Sequence, residues 1–181
     1  MSEAEDSPGA SPGASPAAAA LWRYCIATYR RPAVEEACIA LQDALGVDVV
    51  LLLFAAFAAR WQGAPPTADM VARARAETMH WQGTAVRPLR TLRRQLKGGV
   101  AGVPEALSEP FRKAIQRVEL AAEAIEMNVL ATLVPDAREP LPARDEALIQ
   151  QALVRVVAQA GVVPDDAALQ ALATIAGAAA A

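Results

Sequence analysis

The chain has 181 residues, of which 54% are hydrophobic and 20% are charged. This is ample apolar material for the core of one compact domain and marginal for two. Seventeen Lys and Arg against 20 Asp and Glu give a formal net charge of -3, which argues against a globally basic protein that binds nucleic acid or a membrane surface. Any such role would need a local patch.

The N-terminal residues 1–16 predict a disordered, low-complexity tail rich in Pro, Gly, Ala and Ser. The tail lacks the positive start and apolar stretch of a secretory signal. The most apolar segment has 11 uncharged residues between Asp48 and Arg60, whereas a bilayer span needs about 20. Two cysteines, Cys25 and Cys38, are too few for a disulfide framework. We therefore expect a cytoplasmic protein without a membrane segment.

Helical periodicity dominates residues 17–134, which we expect to form the core of the bundle. A first helix begins near Ala17, and Pro32 opens a second at its first turn. Asp48 is the expected N-cap of a third helix, which is apolar on nearly all sides and should lie at the centre. Thr67 is expected to cap a fourth helix.

The middle of the chain predicts a bend followed by a long helix. Gly83 and Pro88 interrupt the pattern ahead of PLRTLRRQLK, where Thr84 is the expected new N-cap. After a glycine-rich connector, Ser108 is expected to cap the long helix. Its apolar residues recur at alternating steps of four and three, which is typical of a coiled-coil seam: Phe111, Ile115, Val118, Ala122, Ile125 and Val129. We expect the seam to pack on the preceding helix, and the same pattern would equally serve a homodimer.

A Pro-rich linker over residues 135–143 precedes two C-terminal helices over residues 144–177. The first runs from Asp145 to Ala160, and Pro164 opens the second. No segment alternates with period two over a useful length. The predicted fold is all-α: a single helical bundle of about five core helices, with a disordered N-terminal tail and two C-terminal helices after the linker.

Three segments resemble a bacterial family of small helical proteins known as conserved hypothetical proteins of unknown function. They are LWRYCIATYRRPAVEEACIALQDALGVDVVLLLFAAFAARW, TAVRPLRTLRRQLK and VELAAEAIEMNVL, and the resemblance covers roughly Leu21 to Leu133. The most telling pieces are LQD followed by Gly46, Val47 and Asp48, and then PLR-x-LRR. The resemblance implies a small helical fold and carries no agreed catalytic residues.

The strongest local signal is a basic stripe with no acid inside it: Arg87, Arg90, Arg93, Arg94 and Lys97. Arg87, Arg90 and Arg94 lie roughly 140° from the apolar face of their helix, so the stripe should point away from the core. Arginine suits bidentate contacts with carboxylates and phosphates. These residues are our candidate partner-binding site, and a solvated or internally paired surface is the alternative.

An acidic row on the long helix, Glu119, Glu123 and Glu126, is spaced to share one face. The favoured interpretation is that this row pairs with the basic stripe. The alternative is a metal site completed by Glu77 and His80, whose E-x-x-H spacing resembles that of di-iron bundles. His80 is the only histidine, and that pattern needs two such motifs.

The sequence has no G-x-S-x-G and no phosphate-binding glycine motif. The aromatic residues are best explained as core filling. We expect no cofactor and name no catalytic residue. The expected function is a non-catalytic interaction or adaptor module that presents the basic stripe to an acidic protein partner. The alternatives are nucleic-acid binding through the same stripe and a metal- or small-ligand-binding bundle.

Overall fold

The computed structural model describes residues 14–138 and 145–181, so the predictions for the first 13 residues and for most of the Pro-rich linker lie outside the described residues. Within these ranges the chain is helical apart from one isolated bridge between Val100 and Val103. The all-α prediction is confirmed. The helices are α1 (Pro16–Tyr29), α2 (Val34–Leu45), α3 (Val49–Gln62), α4 (Ala68–Trp81), a π-helical segment (Gln82–Val86), α5 (Arg87–Gln95), α6 (Glu105–Ala131), α7 (Glu146–Gln159) and α8 (Asp166–Ala180).

Several helix ends are set by the local residues that the sequence indicated. The Asp48 carboxylate caps α3 by accepting the N–H groups of Val50 and Leu51 at 2.9 and 3.2 Å. The Thr67 hydroxyl caps α4 by accepting an N–H three residues later at 3.1 Å. Gly46 ends α2 with a φ of 64°, which glycine adopts without the steric penalty of a Cβ atom. These predictions are confirmed.

The predicted start of the long helix is wrong. Helix α6 begins at Glu105, directly after Pro104, and Ser108 lies inside its first turns. The Ser108 hydroxyl donates to the carbonyl of Glu105 at 3.3 Å instead of capping a helix end. Pro104 occupies the position before the first turn, where a missing N–H leaves no hydrogen bond unmade.

The bend predicted near Gly83 is a π turn, and Thr84 caps no new helix. Helix α4 continues without a break through the π-helical segment into α5. In this wide turn the N–H of Arg87 bonds to the carbonyl of Gln82, five residues earlier. Pro88 follows in the first turn of α5, where the fixed φ of proline is tolerated.

Helix α2 also begins later than predicted, at Val34 rather than at Pro32. Ala33 precedes it with a φ of 64°. A left-handed conformation interrupts the helical backbone, and it is unfavourable for a residue with a Cβ atom. Pro32 therefore belongs to the turn between α1 and α2.

Helix α3 is the centre of the bundle, as its all-round apolar sequence predicted. Every residue from Val50 to Arg60 is buried. Helix α7 packs along α3, and α8 packs against both α2 and α7. Leu172 and Ile175 of α8 are fully buried in the same core cluster as α1 and α3. The two C-terminal helices are therefore docked on the main core.

A polar contact ties the end of α8 to this core. Tyr24 Oη and Arg60 Nη1 both donate hydrogen bonds to the carbonyl of Ala179, at 3.2 and 3.0 Å. The Arg60 guanidinium also lies 5.7 Å from the centroid of the Tyr24 ring, a cation–π distance. These contacts compensate the burial of a charged side chain.

The apolar seam predicted along α6 is only partly buried. Ala122 is buried, but Phe111, Val118 and Ile125 are 55%, 52% and 49% exposed. Helix α5 does pack on α6, as predicted, yet it meets the acidic row rather than this apolar line. The expectation that the whole seam is buried is wrong because ion pairs occupy the α5–α6 interface.

Among the described residues, no helix has both the length and the apolar character needed to cross a membrane.

Candidate functional site

The basic stripe of α5 and the acidic row of α6 meet between the two helices. Arg90 Nε lies 2.9 Å from Glu119 Oε1, and Arg90 Nη2 lies 2.5 Å from Glu123 Oε1. Arg93 Nε pairs with the other oxygen of Glu119 at 2.5 Å. Arg90 also donates to the side-chain oxygen of Gln42 at 2.7 Å. The favoured pairing is therefore present for two of the three glutamates.

Burial and the arginines shift the two carboxyl groups in opposite directions. Burial favours the neutral form of Glu119, but hydrogen bonds from Arg93 and Arg90 outweigh it and lower the pKa of Glu119. Burial dominates at Glu123, and the charge of Arg90 only partly offsets it, so the pKa of Glu123 is raised. Glu119 is thus the main anionic partner of the arginines.

These contacts divide the basic stripe into an inner and an outer part. The side chain of Arg90 is only 16% exposed, so it does not point away from the bundle as expected. Helix α5 turns a different face toward the bundle from the predicted one. Arg90 and Arg93 contact carboxylates on α6, whereas Leu92 is 37% exposed. Arg94 forms an exposed ion pair with Asp43 at 2.9 Å. Arg87 and Lys97 are exposed.

Residues 87–118, which we call the basic hairpin, hold α5, the glycine-rich connector and the first half of α6. Ser108 is their only buried residue. The hairpin contains eight basic and two acidic residues, a formal net charge of +6, whereas the whole chain carries -3. It also has six of the eleven exposed large hydrophobic residues in the described part of the chain: Leu92, Val100, Val103, Leu107, Phe111 and Val118.

A buried glutamate, Glu126, lies at the other end of the acidic row, close to the half-buried Asp48; we call the two residues the carboxyl pair. Glu126 is fully buried, and its Oε2 accepts a hydrogen bond from Gln82 Nε2 at 2.6 Å. Its Oε1 has no hydrogen-bond donor among the described residues. Burial, together with the nearby charge of Asp48, raises the pKa of Glu126 to about 9. Burial therefore favours the neutral form of Glu126 at pH 7, and the nearby Asp48 adds to this effect.

A small pocket of about 180 Å³ opens beside this pair. It lies between the start of α3, the α4–α5 junction and α7. Asp48 and Gln82 line it, so the two side chains next to Glu126 also face the pocket. Arg75, Thr78 and Arg87 are the other polar side chains in its wall.

The residues proposed for a metal site are not brought together. Glu77 and His80 are exposed on α4, and Glu77 pairs with Arg73 at 2.8 Å. Glu119 and Glu123 contact arginines, and Glu126 contacts Gln82. In residues 14–138 and 145–181, no three His, Cys, Asp or Glu side chains are grouped closely enough to hold a metal ion.

The cysteines and aromatic residues fill the core. Cys25 and Cys38 are buried free thiols, and burial raises the pKa of Cys25 and raises that of Cys38 to about 12. Both thiols are therefore protonated and unreactive at neutral pH. Phe54 and Phe57 are fully buried, and the half-buried Trp81 donates to the carbonyl of Ala122 at 2.9 Å.

Sequence reasoning missed Gln82, considered Arg75 only as a neighbour of the basic stripe in the nucleic-acid alternative, and assigned Asp48 only a capping role. A helix-periodicity argument treats Gln82 as an ordinary polar surface residue. The π turn begins at Gln82 and changes the helical register there. The Gln82 amide is buried and donates to Glu126. The combination of Gly83 and Pro88 was the one signal of this irregularity.

The fold and these two regions define an all-helical protein with a basic surface hairpin and a polar pocket beside a buried acid. The family described as "Protein of unknown function (DUF2390)" matches residues 20–130, more than half of the chain. The chain belongs to this family, which confirms the resemblance. The matched residues hold the carboxyl pair and the whole basic hairpin, whereas α7 and α8 lie outside them. No curated protein and no solved structure matches the chain.

Proposed function

We propose that this protein is an interaction module that docks an acidic protein partner on its basic hairpin. One observation carries the proposal: residues 87–118 combine a formal net charge of +6 with six exposed large hydrophobic side chains. Leu107, Phe111 and Val118 follow one another at steps of four and seven, so they share one face of α6. Neighbouring exposed apolar side chains of this kind are typical of interaction surfaces.

The charge of the hairpin is not neutralised by its own ion pairs. When Glu119 and Glu123, the partners of Arg90 and Arg93, are counted with it, a net charge of +4 remains. The rest of the chain is acidic. A partner that approaches this end therefore meets a local positive field, which favours association with an acidic surface.

The exposed side chains favour a protein over nucleic acid as the partner. Leu107 and Phe111 are 73% and 55% exposed on the first turns of α6. Apolar and aromatic anchors ringed by charge are typical of protein interfaces. A phosphate backbone would use the arginines but would leave these apolar groups in water.

The inner and outer arginines have different roles in this proposal. Arg90 and Arg93 hold α5 on α6 through carboxylates, so they position the hairpin. Arg87, Arg94 and Lys97 are exposed and are the cations that a partner can reach. The Arg94–Asp43 pair is exposed on both sides, and such pairs contribute only about 0–1 kcal/mol, so a partner can displace it.

The test compares two charge-matched triple variants of the full chain as baits in native lysate. The first is Arg94→Glu, Lys97→Glu and Arg117→Glu on the hairpin. The control is Arg30→Glu, Arg73→Glu and Arg138→Glu at exposed sites outside it. Arg87 is left unchanged because it also lines the pocket. Each bait is used with and without nuclease, and the partner is then purified and its Kd for each bait is measured.

We expect a nuclease-resistant protein whose purified form binds the wild type and the control equally. The hairpin variant should bind it at least about tenfold more weakly, since three favourable charge contacts become repulsive. Captured nucleic acid that disappears with the hairpin variant would replace this proposal with nucleic-acid binding. Equal binding by all three baits would overturn both.

A further inference from the structure

The pocket beside the carboxyl pair is separate from the exposed apolar surface of the hairpin. It encloses about 180 Å³, the size of a small metabolite rather than of a peptide. Leu51, Met79 and Val156 supply apolar wall, while five polar side chains share the same space: Asp48, Arg75, Thr78, Gln82 and Arg87. Polar and apolar groups therefore share the wall, and convergent polar groups in a concave site can orient a bound ligand.

Two cations in the pocket wall have hydrogen-bonding capacity to spare. Arg75 Nη1 donates to the carbonyl of Gln159 at 2.6 Å, which leaves most of its five N–H donors for other partners. The guanidinium of Arg87 makes no hydrogen bond or ion pair within the described ranges of the chain. Two guanidinium groups in one small pocket favour an anionic group such as a carboxylate or a phosphate.

The same pocket contains a carboxylate. Asp48 uses Oδ1 to accept two N–H groups at the start of α3, which leaves further acceptor capacity on its carboxyl group. It therefore presents an acceptor to any O–H or N–H donor that enters. A ligand with both groups could place its anionic group at the two arginines and its hydrogen-bond donor at Asp48.

Glu126 does not line the pocket, but it bonds to Gln82, which does. It is fully buried, is bonded to Gln82, and has one oxygen without a donor among the described residues. The π turn that directs Gln82 to Glu126 is a feature often found at functional sites.

We infer that this pocket binds a small organic anion that also bears a hydroxyl or ammonium group, with the anionic group at Arg75 and Arg87 and the donor at Asp48. This site and the proposed docking surface share one residue, Arg87, and the variants chosen for the two tests keep their outcomes distinguishable.

The test follows backbone amide signals of the full chain by NMR during titration with malate and, separately, with glycerol 3-phosphate. Both probes carry a hydroxyl group, and one is a carboxylate and the other a phosphate. We expect saturable shifts at Val47, Asp48, Thr78 and Gln82 with at least one probe. Saturation by only one probe identifies the anionic group. Sodium chloride at equal ionic strength is the reference for screening effects.

Variants then assign the contacts. Arg75→Gln with Arg87→Gln should weaken binding by about tenfold or more, because charge-assisted hydrogen bonds are lost. Arg73→Gln, on α4 but outside the pocket, should leave the Kd unchanged. Asp48→Asn keeps a good N-cap, and it should reduce the preference for malate over succinate, which lacks the hydroxyl.

The inference is overturned if neither probe gives saturable shifts, or if sodium chloride reproduces the shifts. An unchanged Kd in the double arginine variant would also overturn it. None of these three results would affect the docking proposal, because the hairpin variant used to test it retains Arg75 and Arg87.

Discussion

Gln82 Nε2 donates a 2.6 Å hydrogen bond to Glu126 Oε2, and this contact joins the π-helical segment to the interior face of α6. The two residues are 44 positions apart in the chain. Glu126 is fully buried, and a charged carboxylate there would have one oxygen without a donor. The neutral acid avoids most of that penalty because burial strongly disfavours the ionised form.

Replacement of Glu126 by Gln should flatten the pH dependence of stability. The pKa of Glu126 is raised from 4.5 to about 9 by burial and by Asp48. Between these values the unfolded chain loses the proton and the folded chain keeps it. The free energy of unfolding therefore falls as pH rises, by at most about 1.4 kcal/mol per pH unit.

Urea unfolding of Glu126→Gln and the wild type at about pH 5 and about pH 8 checks this linkage. The variant should gain stability relative to the wild type at the higher pH. Glu36→Gln, at an exposed site of α2, should follow the wild type at both. A constant difference between Glu126→Gln and the wild type would show that Glu126 does not retain its proton in the folded state.

Arg90→Met should destabilise the fold much more than Arg94→Met. Arg90 is 16% exposed and pairs with Glu119 and Glu123, so its loss leaves Glu123 without an arginine and Glu119 with Arg93 alone. Such changes cost about 3–5 kcal/mol when fully buried. The exposed Arg94–Asp43 pair contributes about 0–1 kcal/mol. Denaturant midpoints measure both, and equal effects would mean that the α5–α6 ion pairs are not the main contact holding the hairpin.

Leu172→Ala should show that α8 is part of the cooperative core. Leu172 is fully buried, whereas Leu169 of the same helix is 39% exposed. We expect Leu172→Ala to lower the free energy of unfolding by about 2–5 kcal/mol, and Leu169→Ala to lower it by much less. Circular dichroism melts check this. If Leu172→Ala left the melting temperature unchanged, α8 would not contribute to the stability of the core.

Ala33→Gly should stabilise the protein. Ala33 has a φ of 64°, a left-handed conformation that costs a residue with a Cβ roughly 1–2 kcal/mol. The larger backbone entropy of glycine in the unfolded chain offsets part of the gain, so we expect a net increase below about 1 kcal/mol. Ala40→Gly, exposed inside α2, should instead destabilise by about 1 kcal/mol. Thermal unfolding of both variants distinguishes the two signs.

Local sequence signals succeeded where a helix end is made by its own neighbours. Asp48 and Thr67 cap α3 and α4 because each side chain reaches N–H groups two or three residues away. The start of α6 was misplaced because Ser108 and Pro104 are both acceptable start signals. The proline was the stronger one, since its ring fixes φ and it has no N–H to satisfy.

The orientation of α5 could not be read from its own residues. Periodicity assigns the apolar face of an isolated helix to the core, yet α5 contains no buried residue. Arg90 and Arg93 form ion pairs with Glu119 and Glu123, which lie more than 25 positions further along the chain. The exposure of Phe111, Val118 and Ile125 follows from the same contact, because the side of α6 that faces α5 is acidic.

The sequence by itself determined the all-α class, the central position of α3, the caps of that helix and of α4, and the family. These depend on composition, periodicity and contacts within a few residues. Only the tertiary structure decided that the basic stripe is partly internal, that α7 and α8 dock on the core, and that Asp48, Gln82 and Glu126 meet beside a pocket. Those features depend on long-range contacts, whose free energy exists only when the helices are packed together.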